Sequence, residues 1–331
     1  MLLIEDLASK AASCFTSYKQ TDFELYWRFI STRGPYLRFD VSANKVKGPS
    51  SRIRNFLSEL TSDYVLPDLS LIYLNQDIVG KRGLKTRLLS LFVKSVPVFV
   101  SAKTDSDRNQ VLFCDWHYDP NETGLSSWNG MVRCLAESNE LTNWESKHDK
   151  LIWRGGPNDG IYTPENIARF PRGRLVSFAK MNPDLIDASF NNYPPNFVEH
   201  LSFFERAYGT KFMSPLEMSK YKYQIDIDGV TATFSGLSWK LLSGSLVLKQ
   251  ESLNKTWFHD FLIPWKHYIP LLWDLSDLLE KLEWAKKHDI ECRTIAESGR
   301  DFALNFILPK NMRYYCYHVL VNYARCFKPQ S

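Results

Sequence analysis

The stretch YQIDIDGVTATFSGLSWKLLSGSLVLK, residues 223–249, decides the fold of this chain. It opens with alternating polar and apolar residues, passes through a loop rich in hydroxyl groups, continues as an apolar helical segment and ends in a short apolar strand. Because a strand, a helix and a second strand follow one another closely, the stretch predicts a parallel βαβ unit.

The alternation of strands and helices continues on both sides of this unit. On its N-terminal side, KLIWRG (150–155) predicts a strand that is followed by a glycine loop and a helix, and RLVSFA (174–179) predicts a second strand. On its C-terminal side, residues 274–289, 289–307 and 314–327 have the apolar spacing of helices. This part of the chain is therefore predicted to form an α/β domain around a parallel sheet.

The N-terminal part of the chain carries a separate series of elements. Residues 50–65 have helical apolar spacing, and residues 66–77, 97–104 and 110–116 predict short strands. A domain boundary is expected near residues 145–150. The chain is thus divided into residues 1–147, residues 148–308 and a C-terminal helix over residues 309–331.

Composition excludes several classes of protein. The chain has 331 residues and a formal net charge of +4, and it lacks the clustered basic stripe of a nucleic-acid binder. Its start, MLLIEDLASK, has no basic region typical of a signal peptide, and no apolar run reaches the length of a membrane span. The six cysteines form no CxxC pair and the seven histidines form no metal-binding motif, so a cytoplasmic protein with reduced thiols is expected.

Ligands of open α/β sheets bind at the carboxyl ends of the strands, where loops lead into helices. The first such loop is WRGG (153–156), whose glycines let a backbone approach a phosphate and whose Arg154 adds charge. The same residues would also make an ordinary tight turn, and both interpretations stay open at this point.

The second loop lies within the opening stretch. Thr231, Thr233, Ser235 and Ser238 surround the start of a predicted helix, whose N-terminal N–H groups suit a diphosphate. An ordinary helix cap is the alternative, although a single hydroxyl would be enough for it.

Two carboxylates pose a further question. Asp226 and Asp228 form an Asp-x-Asp pair that an extended strand would point to one face, where it could chelate a metal ion. Asp77, at the end of the apolar segment 66–77, could act as a general base in a cleft, and it could equally cap a loop.

Several stretches that follow one another in a fixed order give the chain a family resemblance. They are LPDLSLIYLNQD (66–77), WRGG (153–156), KYKYQIDIDG (220–229), LLSGSLVLK (241–249) and PWKHYIPL (264–271). With these the chain resembles the capsule-associated and Rumi-type glycosyltransferases of family 90, over about residues 63–327. The family includes protein O-glucosyltransferases and bacterial enzymes that modify lipopolysaccharide.

The resemblance implies an α/β fold of the GT-B-like kind, with two Rossmann-like domains that face a cleft. Residues 1–147 would supply the acceptor side and the catalytic base, residues 148–308 the UDP-sugar side, and the C-terminal helix would pack back. Asp77 corresponds to the base of the family. Arg172, with Arg174 as the second choice, corresponds to an arginine that contacts the diphosphate.

The remaining site residues follow from the same motifs. His267 and Tyr268 are candidate neighbours of the donor site, and Glu251 is a candidate partner of sugar or ribose hydroxyls. Ser235 stands where animal members often have an arginine, so Lys240 or Arg172 is expected to supply that charge. The residues predicted to bind the UDP-sugar are Trp153, Arg154, Gly155, Arg172, Arg174, Thr231, Ala232, Thr233, Phe234, Ser235, Gly236 and Glu251.

The function that the resemblance implies is inverting, metal-independent transfer of glucose, xylose or a similar sugar from a UDP-sugar. The expected acceptor is a hydroxyl of a glycan such as lipopolysaccharide core or capsule, and the expected site holds no metal and no cofactor besides the donor. A cytoplasmic enzyme is expected, with peripheral attachment to the inner membrane face and no nucleic-acid partner. The alternatives are a protein O-glycosyltransferase and a non-catalytic nucleotide-sugar-binding module. A kinase is disfavoured because the GxxxxGK[ST] loop is missing.

Overall fold

The computed structural model describes residues 1–12, 18–31, 35–75, 96–107, 109–114, 128–137 and 143–328. The chain forms two compact units, of which the first comprises Met1–Asp119, Leu253–Trp257 and Pro309–Ser331, and the second Pro120–Ser252 and Phe258–Leu308. These units differ from the segments expected from the sequence pattern, because residues 128–137 and 143–147 lie with the second unit and residues 309–328 lie with the first.

Strands and helices are numbered in chain order within the described residues. The strands are β1 Tyr18–Lys19, β2 Tyr36–Ser42, β3 Lys45–Lys47, β4 Leu69–Leu74, β5 Val98–Val100, β6 Lys103–Thr104, β7 Gln110–Leu112, β8 His148–Gly155, β9 Ile186–Phe190, β10 Tyr221–Asp226, β11 Leu246–Gln250, β12 Asn254–Lys255, β13 Ile269–Leu271 and β14 Phe327–Lys328. The helices are α1 Leu2–Ala12, α2 Gln20–Ile30, α3 Arg52–Asp63, α4 Trp128–Glu137, α5 Pro171–Met181, α6 Leu201–Tyr208, α7 Pro215–Met218, α8 Phe234–Leu242, α9 Leu278–Lys287, α10 Asp289–Asn305 and α11 Pro309–Ala324.

The first unit is built on a mixed sheet with the strand order β3-β2-β4-β5-β7. Strand β2 runs antiparallel to both β3 and β4, whereas β4, β5 and β7 are parallel to one another. Helix α3 buries Ile53, Phe56, Leu57 and Leu60, which are the residues that its helical spacing singled out. The sheet thus has a parallel part, formed by β4, β5 and β7, and an antiparallel part that contains β2 and β3.

Helix α11 is tied to the first unit by hydrogen bonds from two buried tyrosines. The Tyr315 hydroxyl donates to the Leu112 carbonyl oxygen at 3.0 Å, and the Tyr323 hydroxyl donates to that of Ser70 at 2.9 Å. Both rings are almost fully buried, so the C-terminal helix contributes to the core of this unit.

The second unit contains a five-stranded sheet with the order β13-β11-β10-β8-β9, in which every neighbouring pair is parallel. The opening stretch forms β10, α8 and β11 of this sheet, as its sequence pattern predicted. Tyr223, Ile225, Leu246 and Leu248 are fully buried, which is expected where helices cover both faces of a parallel sheet. Each such apolar side chain stabilises the fold by about 1.5–3 kcal/mol.

One predicted strand is a helix in the structure. RLVSFA lies inside α5, and the strand that follows β8 is instead β9. Pro171 occupies the first turn of α5, where its fixed φ favours a helix, and Leu175, Val176 and Ala179 are buried at helical spacing. The prediction was wrong because four apolar residues in a six-residue segment fit both periods, and the decisive signal was the proline before it.

No helix in the described ranges has both the length and the apolar composition that a membrane span requires.

Candidate functional site

The carboxyl ends of the parallel strands β8, β10 and β11 lie side by side in the sheet of the second unit. Gly155 ends β8, Asp226 ends β10 and Gln250 ends β11, so the loops that sequence analysis singled out leave the sheet side by side. Because ligands of such sheets bind beyond the carboxyl ends of the strands, these loops define the candidate site.

Arg172, in the first turn of α5, joins two of these loops. Its Nε donates to the Asp228 carbonyl oxygen at 2.9 Å, and its Nη2 donates to that of Ile227 at 2.9 Å. Its Nη1 donates to the Gly156 carbonyl oxygen at 2.8 Å and also to Asn158 Oδ1. Four of the five N–H groups of the guanidinium are thus bonded to the protein itself.

Neighbouring side chains contact the Arg172 guanidinium and backbone and affect the pKa of Arg172. The guanidinium carbon lies 5.7 Å from the centroid of the Trp153 ring, and the backbone N–H of Arg172 donates to Asp159 Oδ2 at 2.9 Å. Burial lowers the pKa of Arg172, while the nearby Asp159 carboxylate acts in the opposite direction. Arg172, which the family resemblance predicts to contact the diphosphate, therefore lies at the candidate site, where it bonds the loop after β8 to the loop after β10.

The glycines of these loops are places of close approach. A Cβ at Gly155 would lie 2.5 Å from the Trp153 ring, one at Gly156 would lie 2.9 Å from Asn192 Oδ1, and one at Gly229 would lie 2.5 Å from Asn158 Oδ1. Any side chain at Gly229 would displace the amide that accepts from Arg172.

Asp226 is the centre of a buried ionic cluster. Its Oδ1 accepts from Lys240 Nζ at 2.7 Å and from Thr233 Oγ1 at 2.6 Å, and the residue is only 2% exposed. Burial raises the pKa of Asp226, but the charges of Lys240 and Lys249 outweigh burial and hold the pKa below its ordinary value. The cluster therefore contains an ionised carboxylate and two ammonium groups.

Lys249 is the member of this cluster that the sequence analysis missed. It is the penultimate residue of the fully buried strand β11 and is 6% exposed, and its Nζ donates to the Gln250 carbonyl oxygen at 3.2 Å. A lysine that interrupts an apolar strand at its carboxyl end was the available signal, because such a charge is buried only where partners compensate it.

The N-terminus of α8 is left open by the same arrangement. Thr233 occupies the cap position, but its hydroxyl bonds to Asp226, and no side chain among the described residues caps the helix. The amine of Lys240 lies beside this first turn, 3.7 Å from the position that a Cβ at Gly236 would take. Unpaired N–H groups next to an ammonium form a binding site for an anion.

A hydroxyl without a partner points to the same conclusion. Thr231 is 4% exposed, and its Oγ1 is buried with no hydrogen-bond partner among the described residues. Such a group costs about 1–3 kcal/mol when it is left unbonded, and a ligand that accepts from it removes this cost. Ala232 is buried, Ser235 and Gly236 are partly exposed, and Phe234 begins the helix.

Two predicted arginines make other contacts. Arg154 bonds to Asp187 Oδ1 and to the Asp187 carbonyl oxygen, both at 2.8 Å, which ties β8 to β9. Arg174 bonds to the Asp274 carbonyl oxygen and lies 3.5 Å from the Asp274 carboxylate. Both arginines are thus occupied by protein carboxylates and carbonyl groups.

The remaining predicted residues lie around β11 and β13. Glu251 follows β11 and is exposed, while burial, and next to it the charge of Glu251, raises the pKa of Tyr268. The His267 ring precedes β13, stacks on Phe302 with centroids 4.8 Å apart, and accepts from the Ile263 N–H at 3.1 Å. Burial lowers the pKa of His267, which favours the neutral ring that this packing requires.

Asp77 lies outside the residues that the structure describes. The second carboxylate of the Asp-x-Asp pair, Asp228, follows the end of β10 and accepts from the Ser252 hydroxyl. Asp226 and Asp228 thus have separate partners. Over the described part of the chain, no three histidine, cysteine, aspartate or glutamate side chains are grouped as metal ligands would be.

Comparison with known proteins identifies relatives over most of the chain. The sequence profile of Glycosyl transferase family 90 matches residues 50–331. Protein O-glucosyltransferase 3 of Homo sapiens is 32% identical over 308 residues, which cover 90% of this chain and 56% of that protein. Protein O-glucosyltransferase 2 of Danio rerio is 31% identical over 300 residues, or 89% of this chain and 53% of that protein. The chain thus spans about half the length of these relatives.

Proposed function

Because the chain belongs to glycosyl transferase family 90, we propose that it transfers a sugar from a UDP-sugar to a hydroxyl group of a protein. The observation that carries this proposal is the open N-terminus of α8, beside the Lys240 amine and the unbonded Thr231 hydroxyl. These groups offer N–H, ammonium and hydroxyl donors to a diphosphate.

The relatives favour a protein acceptor over the glycan acceptor expected from sequence. The two relatives named above are protein O-glucosyltransferases, which also makes glucose the first sugar to test. The lipopolysaccharide or capsule reading has no comparable support, and the alternative of a protein O-glycosyltransferase takes its place as the main proposal.

The donor would bind at the carboxyl ends of the parallel strands in the second unit. The diphosphate would accept hydrogen bonds from the N–H groups at the start of α8 and from Thr231, with Lys240 and Lys249 supplying positive charge. Arg172 would hold the loops after β8 and β10 in the geometry that the nucleotide requires. Lys240 and Lys249 would thus supply the positive charge that animal members of the family often obtain from an arginine at the position of Ser235.

Catalysis would follow the pattern that the family implies, within a GT-B-like arrangement. Asp77 would take the proton of the acceptor hydroxyl, whose oxygen attacks the anomeric carbon from the face opposite UDP. The bond to UDP breaks as the new bond forms, and the anomeric configuration inverts. The negative charge that develops on UDP would be stabilised at the start of α8 without a metal ion.

A screen of UDP-sugars with the purified chain tests the proposal. We expect UDP-glucose to bind and to be slowly hydrolysed in the absence of acceptor, with undiminished activity in EDTA. Asp77→Asn should keep UDP binding and lose about 10²–10⁴-fold in turnover. Binding without any turnover in the unaltered chain would favour the non-catalytic binding module, and strict metal dependence would restore a metal at Asp226 and Asp228.

A further inference from the structure

Strand β9 forms one edge of the parallel sheet in the second unit, and a groove runs beside it. The groove has a volume of about 360 Å³. It is lined by β9, by the C-terminal half of α5 and by Lys150, Tyr208 and Lys211, and we call it the edge groove. It involves none of the loops of the candidate nucleotide site.

The backbone of β9 presents open hydrogen-bonding groups to this groove. Alternate residues of a parallel strand bond to the same neighbour. The Leu151 N–H donates to the Leu185 carbonyl oxygen and the Asn191 N–H donates to that of Gly155, so the odd-numbered residues face β8. The backbone groups of the even-numbered residues Ile186, Ala188 and Phe190 therefore point away from β8. The Ile186 N–H is bonded to the Asn182 carbonyl oxygen at 3.0 Å, so the Ile186 carbonyl oxygen and the two backbone groups of Ala188 are the ones that face the groove.

A segment of the chain already begins to pair with this edge. The Lys211 N–H donates to the Phe190 carbonyl oxygen at 2.9 Å, which is the last outward-facing acceptor of β9. Farther along the strand, at Ile186 and Ala188, the groove takes the place that an added strand would fill. An unpaired strand edge of this kind is a template for an extended peptide.

The charge of the edge groove selects the kind of peptide. Lys150, Lys180 and Lys211 line it, and none of their amines has a carboxylate within ion-pair distance in the described part of the chain. The one acidic lining residue, Asp187, is paired with Arg154 at 2.8 Å. The groove thus carries a concentration of uncompensated positive charge.

Apolar side chains flank these amines. The Lys180 amine lies 3.9 Å from the centroid of the Tyr208 ring, and the residues that follow Lys180 and Lys211 are Met181 and Phe212, which are 67% and 79% exposed. Exposed apolar side chains beside a charged groove favour a protein partner over a small anion.

From these features we propose that the edge groove binds an extended acidic peptide of a partner protein, which adds to β9 as a parallel or antiparallel strand. Backbone hydrogen bonds to the Ile186 carbonyl oxygen and to the N–H and carbonyl groups of Ala188 hold the peptide. Its alternate carboxylates meet the three lysine amines, and its apolar side chains contact Tyr208 and the exposed residues beside it.

The test uses a fluorescein-labelled, capped peptide that alternates Glu and Val, with fluorescence polarisation as the readout and the full chain as the receptor. We expect saturable binding that weakens as salt is added. Replacing Lys150, Lys180 and Lys211 together by Ala should weaken it by roughly tenfold or more. The matched control replaces the exposed lysines Lys45, Lys287 and Lys310 by Ala and should bind as the unaltered chain does.

The backbone part of the proposal has its own test. Two further peptides carry N-methyl groups on every Val or on every Glu, and at least one of them should lose binding by roughly tenfold, since one set of N–H groups must face β9. Ala188→Pro removes one outward N–H of the strand and should weaken binding while the circular dichroism spectrum stays unchanged.

Three results would overturn the proposal. Binding of both N-methylated peptides as tight as that of the unmethylated peptide would exclude strand addition. Unchanged affinity in the triple lysine variant would exclude the edge groove. Displacement of the peptide by excess inorganic phosphate at constant ionic strength would identify a site for small anions instead.

Discussion

The Lys240 ammonium lies 2.7 Å from Asp226 Oδ1, and both residues are at least 92% buried. The pair links the end of a central strand to the last turn of the helix that follows it. Because Thr233 donates to the same carboxylate oxygen, the hydroxyl that would otherwise cap the helix is engaged by the strand. One ion pair therefore both fixes the βαβ unit and leaves the helix N-terminus open for an anion.

Removing the charge of Asp226 should change how the free energy of unfolding depends on pH in the acidic range. Its folded pKa lies below its unfolded pKa, so its stabilising contribution is present above the unfolded value and is lost as pH falls through the folded value. Asp226→Asn should lower the free energy of unfolding by about 3–5 kcal/mol at neutral pH, because Lys240 and Lys249 lose their counter-charge. Urea unfolding at several pH values below 6 should then show a shallower loss of stability than in the unaltered chain. An identical acid profile would mean that Asp226 is not ionised in the fold.

Thr231→Val should separate stability from ligand binding. The buried hydroxyl has no described partner, so the substitution should stabilise the free protein by up to about 1 kcal/mol. It should also weaken UDP binding by about five- to tenfold if the hydroxyl donates to the diphosphate. Thermal unfolding with and without UDP measures both effects. Thr233→Val is the matched comparison, and it should be destabilising because its hydroxyl already bonds to Asp226.

Arg172→Ala tests whether this guanidinium positions loops or binds the ligand directly. Four hydrogen bonds are lost, so the free energy of unfolding should fall by about 3 kcal/mol or more. A loop-ordering role predicts that the affinities for uridine and for UDP fall by similar factors. A selective loss of UDP affinity, with uridine binding preserved, would show direct contact with the diphosphate. Isothermal calorimetry with the two ligands distinguishes these outcomes.

Lys147 should make the stability of the second unit depend on pH in the alkaline range. Burial, and next to it the charge of Arg300, lowers the pKa of Lys147 to about 7, although its amine donates to the Ser243 carbonyl oxygen at 3.1 Å. The unfolded state therefore binds the proton more tightly, and stability should rise between about pH 7 and the unfolded pKa by up to about 1.4 kcal/mol per pH unit. Below about pH 7 this contribution to the slope vanishes, since both states are protonated.

Denaturant unfolding of Lys147→Met against the unaltered chain measures that slope. The variant should lack the alkaline rise, and Lys220→Met, at an exposed position, should retain it. Equal slopes in all three proteins would show that the Lys147 amine keeps its ordinary pKa.

Most strands and helices around the candidate site could be predicted from the sequence, because the patterns that indicate them are local. Hydroxyls before an apolar helical run predicted the start of α8, and the apolar runs on either side predicted β10 and β11. RLVSFA was misassigned because its apolar residues fit a strand as well as a helix, and the signal for a helix was Pro171, three residues before it.

Side-chain partnerships were harder to predict, since they depend on contacts far apart in sequence. Arg172 bonds to residues more than 50 positions away, and nothing in its neighbourhood in the sequence indicates those carbonyl groups. Lys249 likewise acquires its role from Asp226, which lies on the adjacent strand. The resemblance placed Arg172 at the site, but the direction of its N–H groups required the folded chain.

The return of α11 to the first unit affects how the protein can be synthesised. That unit is assembled from segments on both sides of the second unit, and Tyr315 and Tyr323 belong to its interior. A chain that emerges from the ribosome in order can complete the parallel sheet of the second unit first. The sheet of the first unit must wait for the last helix with its apolar surface exposed. Chaperone dependence during translation should therefore concentrate on the N-terminal segment, although it is made first.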